Sequence, residues 1–78
     1  MAKISLYPGV ESDPAILSGK PVIAGTRVPV TLILGQLGGG VTDEEIMREY
    51  HVTADQIHAA LNYAASLING ETIYATVA

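Results

Sequence analysis

Two helix-start signals of the same kind constrain this chain more than any other feature. Thr42 is followed at the third position by Glu45 in "VTDEEIMREYH", and Thr53 by Gln56 in "VTADQIHAALNYAASLING". A cap threonine accepts the amide of the third helical residue, and a Glu or Gln there reaches back to the threonine amide, so two orphan donors are satisfied together. Each pair therefore predicts a helix that starts right after its threonine. Asp43, Glu44 and Glu45 add negative charge at the positive end of the first helix dipole. Only His51 and Val52 separate that helix from the second cap. A short helix, a tight turn and a longer helix make a helix-turn-helix outline.

Apolar spacing then says what these helices bury. Ile46 and Tyr50 share one face of the first. In the second, Ile57, Leu61, Ala64 and Ile68 follow at i, i+4, i+7 and i+11, which predicts a buried stripe. Ala59, Ala60 and Ala65 permit close helix approach, and Asn69-Gly70 is expected to end the helix. Upstream, "VTLILGQLGGG" predicts a further helix over about Thr31 to Leu37, stopped by Gly38 to Gly40. It is apolar nearly all round, so it must be buried on more than one side. In so short a chain the second side points to another subunit, with Leu32, Ile33, Leu34 and Leu37 as the candidate homodimer surface.

The ends of the chain read as β structure. "KISLY" predicts a short strand, and Pro8-Gly9 and Asp13-Pro14 are turn dipeptides. "PVI" and "RVPV" flank Ala24-Gly25-Thr26, the pattern of a tight hairpin with Gly25 at a positive φ. "ETIYATVA" alternates Ile73, Ala75 and Val77 against Thr72, Tyr74 and Thr76. It predicts a C-terminal strand that must find a partner, since an isolated strand is unstable. The expectation is one domain over residues 1–78, mainly α, with a strand and hairpin over about 3–30. A three-helix bundle follows over about 31–69, then a strand over about 71–77.

Composition narrows the function classes. With 78 residues the chain buries only about 60–65% of its unfolded surface. It has no cysteine, so disulfides and thiolate metal sites are excluded and a partner subunit is the favoured support. Half of it is apolar (49%) and only 15% is charged, with a net charge of −4. Lys3, Lys20, Arg27 and Arg48 are the only basic residues, too few for a phosphate-neutralising footprint. The N-terminal "MAKISLYPGV" lacks a signal-peptide core, and the apolar run from Val28 to Val41 carries four glycines and is too short for a membrane span. A cytoplasmic protein with no membrane partner is expected.

No reactive constellation stands out. Gly19-Lys20 invites comparison with a phosphate loop, but Pro14 and Pro21 stand where that motif needs Gly and Ser or Thr. His51, Asp55 and His58 have a ligand-like spacing, yet the Thr53 cap puts His51 outside the helix, so no metal or cofactor is expected. Glu11 with Asp13, and the Asp43-Glu44-Glu45 run, are carboxylate pairs without a nucleophile, and no enzyme is expected. In a DNA reading the base-contacting positions of the last helix would include Gln56, with Arg48 as the nearest cation. Asp55 would meet phosphate badly there.

The stretches "DPAILSGKPVIAGTRVPV" and "TDEEIMREYHVTADQIHAALNYAA" together resemble the domain of unknown function 433 family. The similarity runs from roughly Asp13 to Ala65, about two-thirds of the chain. It implies a homeodomain-like three-helix fold preceded by strands, in small prokaryotic proteins. Many members are regarded as antitoxins paired with a toxin that resembles a PIN-type ribonuclease. This chain departs from the family pattern at Ala24, where a basic residue often precedes Gly-Thr-Arg, and at His51, where proline usually follows the tyrosine of "REY". An antitoxin would bind its toxin through complementary charge. Arg27 and Lys20 of the hairpin segment and Tyr74 of the tail are candidate partner contacts. Arg27 has two readings: an ion pair within its own domain, with Asp13 or a helix C-terminus, or an outward bidentate contact to toxin carboxylates.

Overall fold

The computed structural model describes residues 3–77, with side chains described as far as Gly70. Strand β1 (Ile4–Tyr7) turns through Pro8-Gly9 into β2 (Val10–Ser12), which pairs antiparallel with β3 (Val22–Ile23). The sheet order is β1-β2-β3. Three helices follow: α1 (Val30–Gly38), α2 (Asp43–Tyr50) and α3 (Ala54–Val77). A three-stranded antiparallel sheet thus precedes three helices, but its members differ from the expected ones: "VES" is the central strand, and the "RVPV" arm of the hairpin contributes only a single bridge at Pro29. Strand β2 is the missing piece. "VES" has one apolar residue in three and no alternation to reveal it, and it becomes a strand only because β1 and β3 flank it on both sides.

Both turns that frame the sheet depend on their residues. Gly9 takes φ +88° and its bare Cα lies under α3. A Cβ there would come within 2.9 Å of the Ala59 Cβ, so the turn and the helix approach both require glycine. The expected hairpin forms as well. The Thr26 amide donates to the Ile23 carbonyl at 3.0 Å, the Ile23 amide to Val28 at 2.9 Å, and Gly25 turns at φ +78°. Pro29, which has no N–H to lose, bridges Val22 and caps α1, while the Val30 amide donates to the Pro21 carbonyl at 3.0 Å. The hairpin therefore runs straight into the first helix.

The helix boundaries follow from their caps. Helix α1 ends in a Schellman motif: Val41 N–H donates to the Gln36 carbonyl and Gly40 N–H to the Leu37 carbonyl, each at 3.0 Å, with Gly40 at φ +89°. Both predicted capping boxes are present. The Glu45 amide donates to Thr42 Oγ1 at 3.2 Å while Thr42 N–H donates to Glu45 Oε1 at 3.3 Å. The Gln56 amide donates to Thr53 Oγ1 at 3.1 Å and Thr53 N–H to Gln56 Oε1 at 2.8 Å. Between the helices His51 is left-handed, at φ 57° and ψ 41°. Proline, locked near φ −65°, could not take this place, so the departure at His51 goes with a different turn rather than a looser version of the same one.

One contiguous core joins sheet and helices. Val10 and Ile23 of the sheet meet Val30 and Ile33 of α1, Ile46 of α2, Val52 of the turn, and Ile57 and Ala60 of α3. Two expectations are corrected here. The predicted α3 stripe is only half buried: Ile57 and Ala60 are at 0% exposure, but Leu61 is at 42% and Ile68 at 59%. The packed face is Ile57, Ala60, Tyr63 and Ala64 instead, because the sheet and α1 cover α3 only from that side and only along its first half. The expected C-terminal strand over about 71–77 is also replaced, since the backbone stays helical to Val77. Gly70 stops a helix only in the left-handed conformation, and it does not adopt it. The side chain of Tyr74 lies outside the described residues.

Candidate functional site

The chain sorts its charge by element, and this sorting defines its candidate surfaces. Asp43, Glu44, Glu45 and Glu49 of α2 and Asp55 of α3 are all exposed. They are there because acidic residues suit the first turns of capped helices. Five of the eight acidic residues of the chain thus lie exposed on α2 and the first turn of α3, with Arg48 as the single cation of these two segments. None of these six takes part in an ion pair among the described residues. This stretch is strongly negative.

Gln56, in the first turn of α3, is not free to read a base. It is half-buried and its side-chain oxygen is engaged by the Thr53 amide. Arg48 is exposed one helix away. The two DNA candidates therefore do not form a common reading head. His51 lies at the C-cap of α2, outside α3. Among the described residues no group of three His, Asp or Glu could hold a metal ion.

The hairpin supplies a second surface. Glu11 Oε2 accepts the Gly25 amide at 3.0 Å and lies 3.8 Å from Lys3 Nζ. Thr26 Oγ1 donates to the Ile23 carbonyl at 2.8 Å and accepts the Val28 amide at 3.0 Å. The tip is thus fastened on both sides of Arg27. Arg27 itself is exposed and makes no hydrogen bond or ion pair among the described residues. Asp13, its candidate internal partner, is occupied in a turn, where its Oδ1 accepts the Ala15 amide at 2.9 Å. Glu11 and Asp13, which read as a carboxylate pair, are accordingly two structural anchors. Lys20 is not brought to Arg27: it stands at the open end of the hairpin, the end where Val22 bridges Pro29, and Arg27 stands at the closed end.

Around Lys20 the structure shows a feature the sequence does not announce. Leu17, Ser18 and Gly19 turn left-handed in succession, at φ 50°, 57° and 84°. Leu17 and Ser18 are strained in this conformation. The turn is held by Ser12 Oγ donating to the Gly19 carbonyl at 2.6 Å. With Lys20, Pro29 and Thr31, Leu17 and Ser18 wall an open dent of about 340 Å³. A run of three positive φ values with one glycine leaves no signal in composition or spacing. The residues Gly-Lys-Pro, Gly-Thr-Arg and Pro-Val are thus accounted for as turn, fastened tip and helix cap. The family model for protein of unknown function DUF433 matches residues 10–64, a span from β2 into α3 that contains all of them.

The chain belongs to the DUF433 family. No curated protein and no solved structure is significantly similar to it. The DUF433 match leaves out β1, an edge strand of the sheet, and the second half of α3. Among the described residues no helix is long and apolar enough to cross a membrane.

The candidate dimer residues divide. Ile33 is fully buried in the core of its own chain and has no surface to offer. Leu34 and Leu37 are half-buried and pack against that core, and Leu32 is half-buried. Between α1 and α3 lies an apolar groove of about 160 Å³, lined by Pro21, Val30, Thr31, Leu34, Tyr63, Ala64 and Leu67. Its Tyr63 wall is fixed from behind by Tyr7, the ring centroids 6.1 Å apart.

Proposed function

We propose that this DUF433 chain is an antitoxin-like, non-catalytic binding protein of the prokaryotic cytoplasm that neutralises a PIN-like ribonuclease toxin. The observation that carries this reading is the acidic surface of α2 and the start of α3, where five carboxylates and one arginine are exposed. A ribonuclease must present positive potential to RNA, and a negative surface on a pre-formed scaffold competes for it and speeds encounter. Arg27, on its fastened tip, would reach the carboxylates with which such a nuclease holds metal, and its planar fork suits them. Lys20 would contact the rim. In this reading two copies of the chain form the neutralising unit.

The test is co-expression with the product of the adjacent open reading frame. A stable complex and relief of growth arrest are expected. Glu44→Lys combined with Asp55→Lys should weaken the complex at least about tenfold at low salt, and less at high salt. If nothing co-purifies and the neighbour arrests no growth, the reading fails.

The second reading, a homeodomain-like DNA-binding regulator, is favoured by the α2–turn–α3 outline. It needs a partner to supply positive charge, because the acidic surface itself would repel phosphate. A mobility shift on the chain's own upstream DNA at low salt, with and without the partner, decides it.

A further inference from the structure

We propose that two copies of this chain pair face to face through the uncharged surface made by α1 and the middle of α3, up to Gly70. This makes concrete the two-copy unit of the reading above, and it stands whether or not the partner is a nuclease. The first observation is a stripe that outruns its core. Along one side of α3, Ile57 and Ala60 are fully buried, Ala64 is half-buried, and Leu67 and Ile68 are 54% and 59% exposed. The apolar pattern is continuous, while the cover from the sheet and α1 stops.

The second observation is charge. Residues 28–42, which hold α1, and residues 56–70, which hold the middle of α3, contain no Asp, Glu, Lys or Arg. Two chains of net charge −4 repel each other at the acidic surface but not here. A basic partner has the opposite preference, since its best complement is the acidic surface. The neutral surface is therefore left for a second copy.

The third observation is shape. A two-fold dimer needs a patch that fits itself. This patch carries both halves of such a fit: Ile68 projects, and the groove walled by Pro21, Leu34, Tyr63 and Leu67 recedes. An apolar cavity of about 150 Å³ accepts a benzene-sized group. The groove, at about 160 Å³, has room for one Ile or Leu side chain from the partner copy.

The chain has no cysteine, so single-cysteine variants give an unambiguous readout. Leu67→Cys should cross-link to a covalent dimer with a short bifunctional maleimide, while Glu44→Cys should not. Sedimentation equilibrium should show a dimer at micromolar concentration. Ile68→Asp should weaken it roughly thirtyfold or more, the size of a hot-spot loss, with unchanged far-ultraviolet circular dichroism. Raising salt should leave the dimer intact or tighten it. A monomer throughout the micromolar range overturns the proposal, as does a dimer that Glu44→Cys cross-links and Leu67→Cys does not. An apolar partner that binds the monomer at Leu67 also overturns it. None of these measurements involves a toxin, so their failure is distinct from failure of the antitoxin reading.

Discussion

The two halves of α3 carry similar apolar residues and have opposite fates. In the first half, Ile57 and Ala60 are sealed between the sheet, α1 and α2, and Ala59 lies against the bare Cα of Gly9. In the second, Leu67 and Ile68 stand more than half exposed on the same stripe. The difference teaches that a helix pattern records which side of a helix is to be covered, not what covers it. The core of so small a chain reaches only part of the way along α3, and the rest of the stripe waits for a surface from outside.

Mutations in the two halves should therefore differ in size. The largest effect is expected from Ile57→Ala, which empties a fully buried site and should cost about 2–5 kcal/mol in chemical denaturation. Gly9→Ala comes next, at about 2–3 kcal/mol, from a strained φ and the clash with Ala59 combined. The companion Ala59→Gly should recover the clash and not the φ strain, so the double variant should lie between the two. Thr53→Ala removes the cap that starts α3 and should cost about 1 kcal/mol. Ile68→Ser, measured at concentrations low enough to keep the chain monomeric, should change stability by less than about 0.5 kcal/mol. If Ile68→Ser costs as much as Ile57→Ala in the monomer, the contrast between the halves is broken. At high concentration the same variant should cost more thermal stability than it does in the monomer, because association adds to stability by mass action.

The turn before α3 sharpens the same contrast. His51→Gly should stabilise the chain by about 0.5–1 kcal/mol, because glycine takes the left-handed conformation without the Cβ penalty. His51→Pro should instead disrupt the turn. Thermal melts of both variants check this, and equal effects would mean that the left-handed His51 is not what sets the angle between α2 and α3.

Much of the helical part was legible in the residues. Thr42 with Glu45 and Thr53 with Gln56 named two helix starts, and Gly38 to Gly40 named the end of α1. The hairpin at Ala24-Gly25-Thr26 was legible from its glycine and prolines. The candidate surfaces were less so. Arg27 was readable as a residue of interest, but only the structure shows Asp13 committed elsewhere and the tip fastened by Glu11. Gln56 illustrates the reverse: its sequence position suggested a base contact, while the same position in the capping box engages its oxygen at home. The left-handed Leu17-Ser18-Gly19 turn carried no signal at all, because Leu and Ser are poor residues for it and only the surrounding chain holds them there.

The sequence by itself determined where the helices begin, how α1 ends, and where the charge lies. Those outcomes depend on hydrogen bonds and dipoles among residues three or four positions apart, which any stretch of chain carries with it. The tertiary structure alone decided that "VES" is the central strand, that α3 passes Gly70 without stopping, and that the buried part of its stripe ends near Ala64. Pairing and burial require surfaces brought together from distant parts of the chain. Their extent is set by how far the sheet and α1 reach, which no local pattern records.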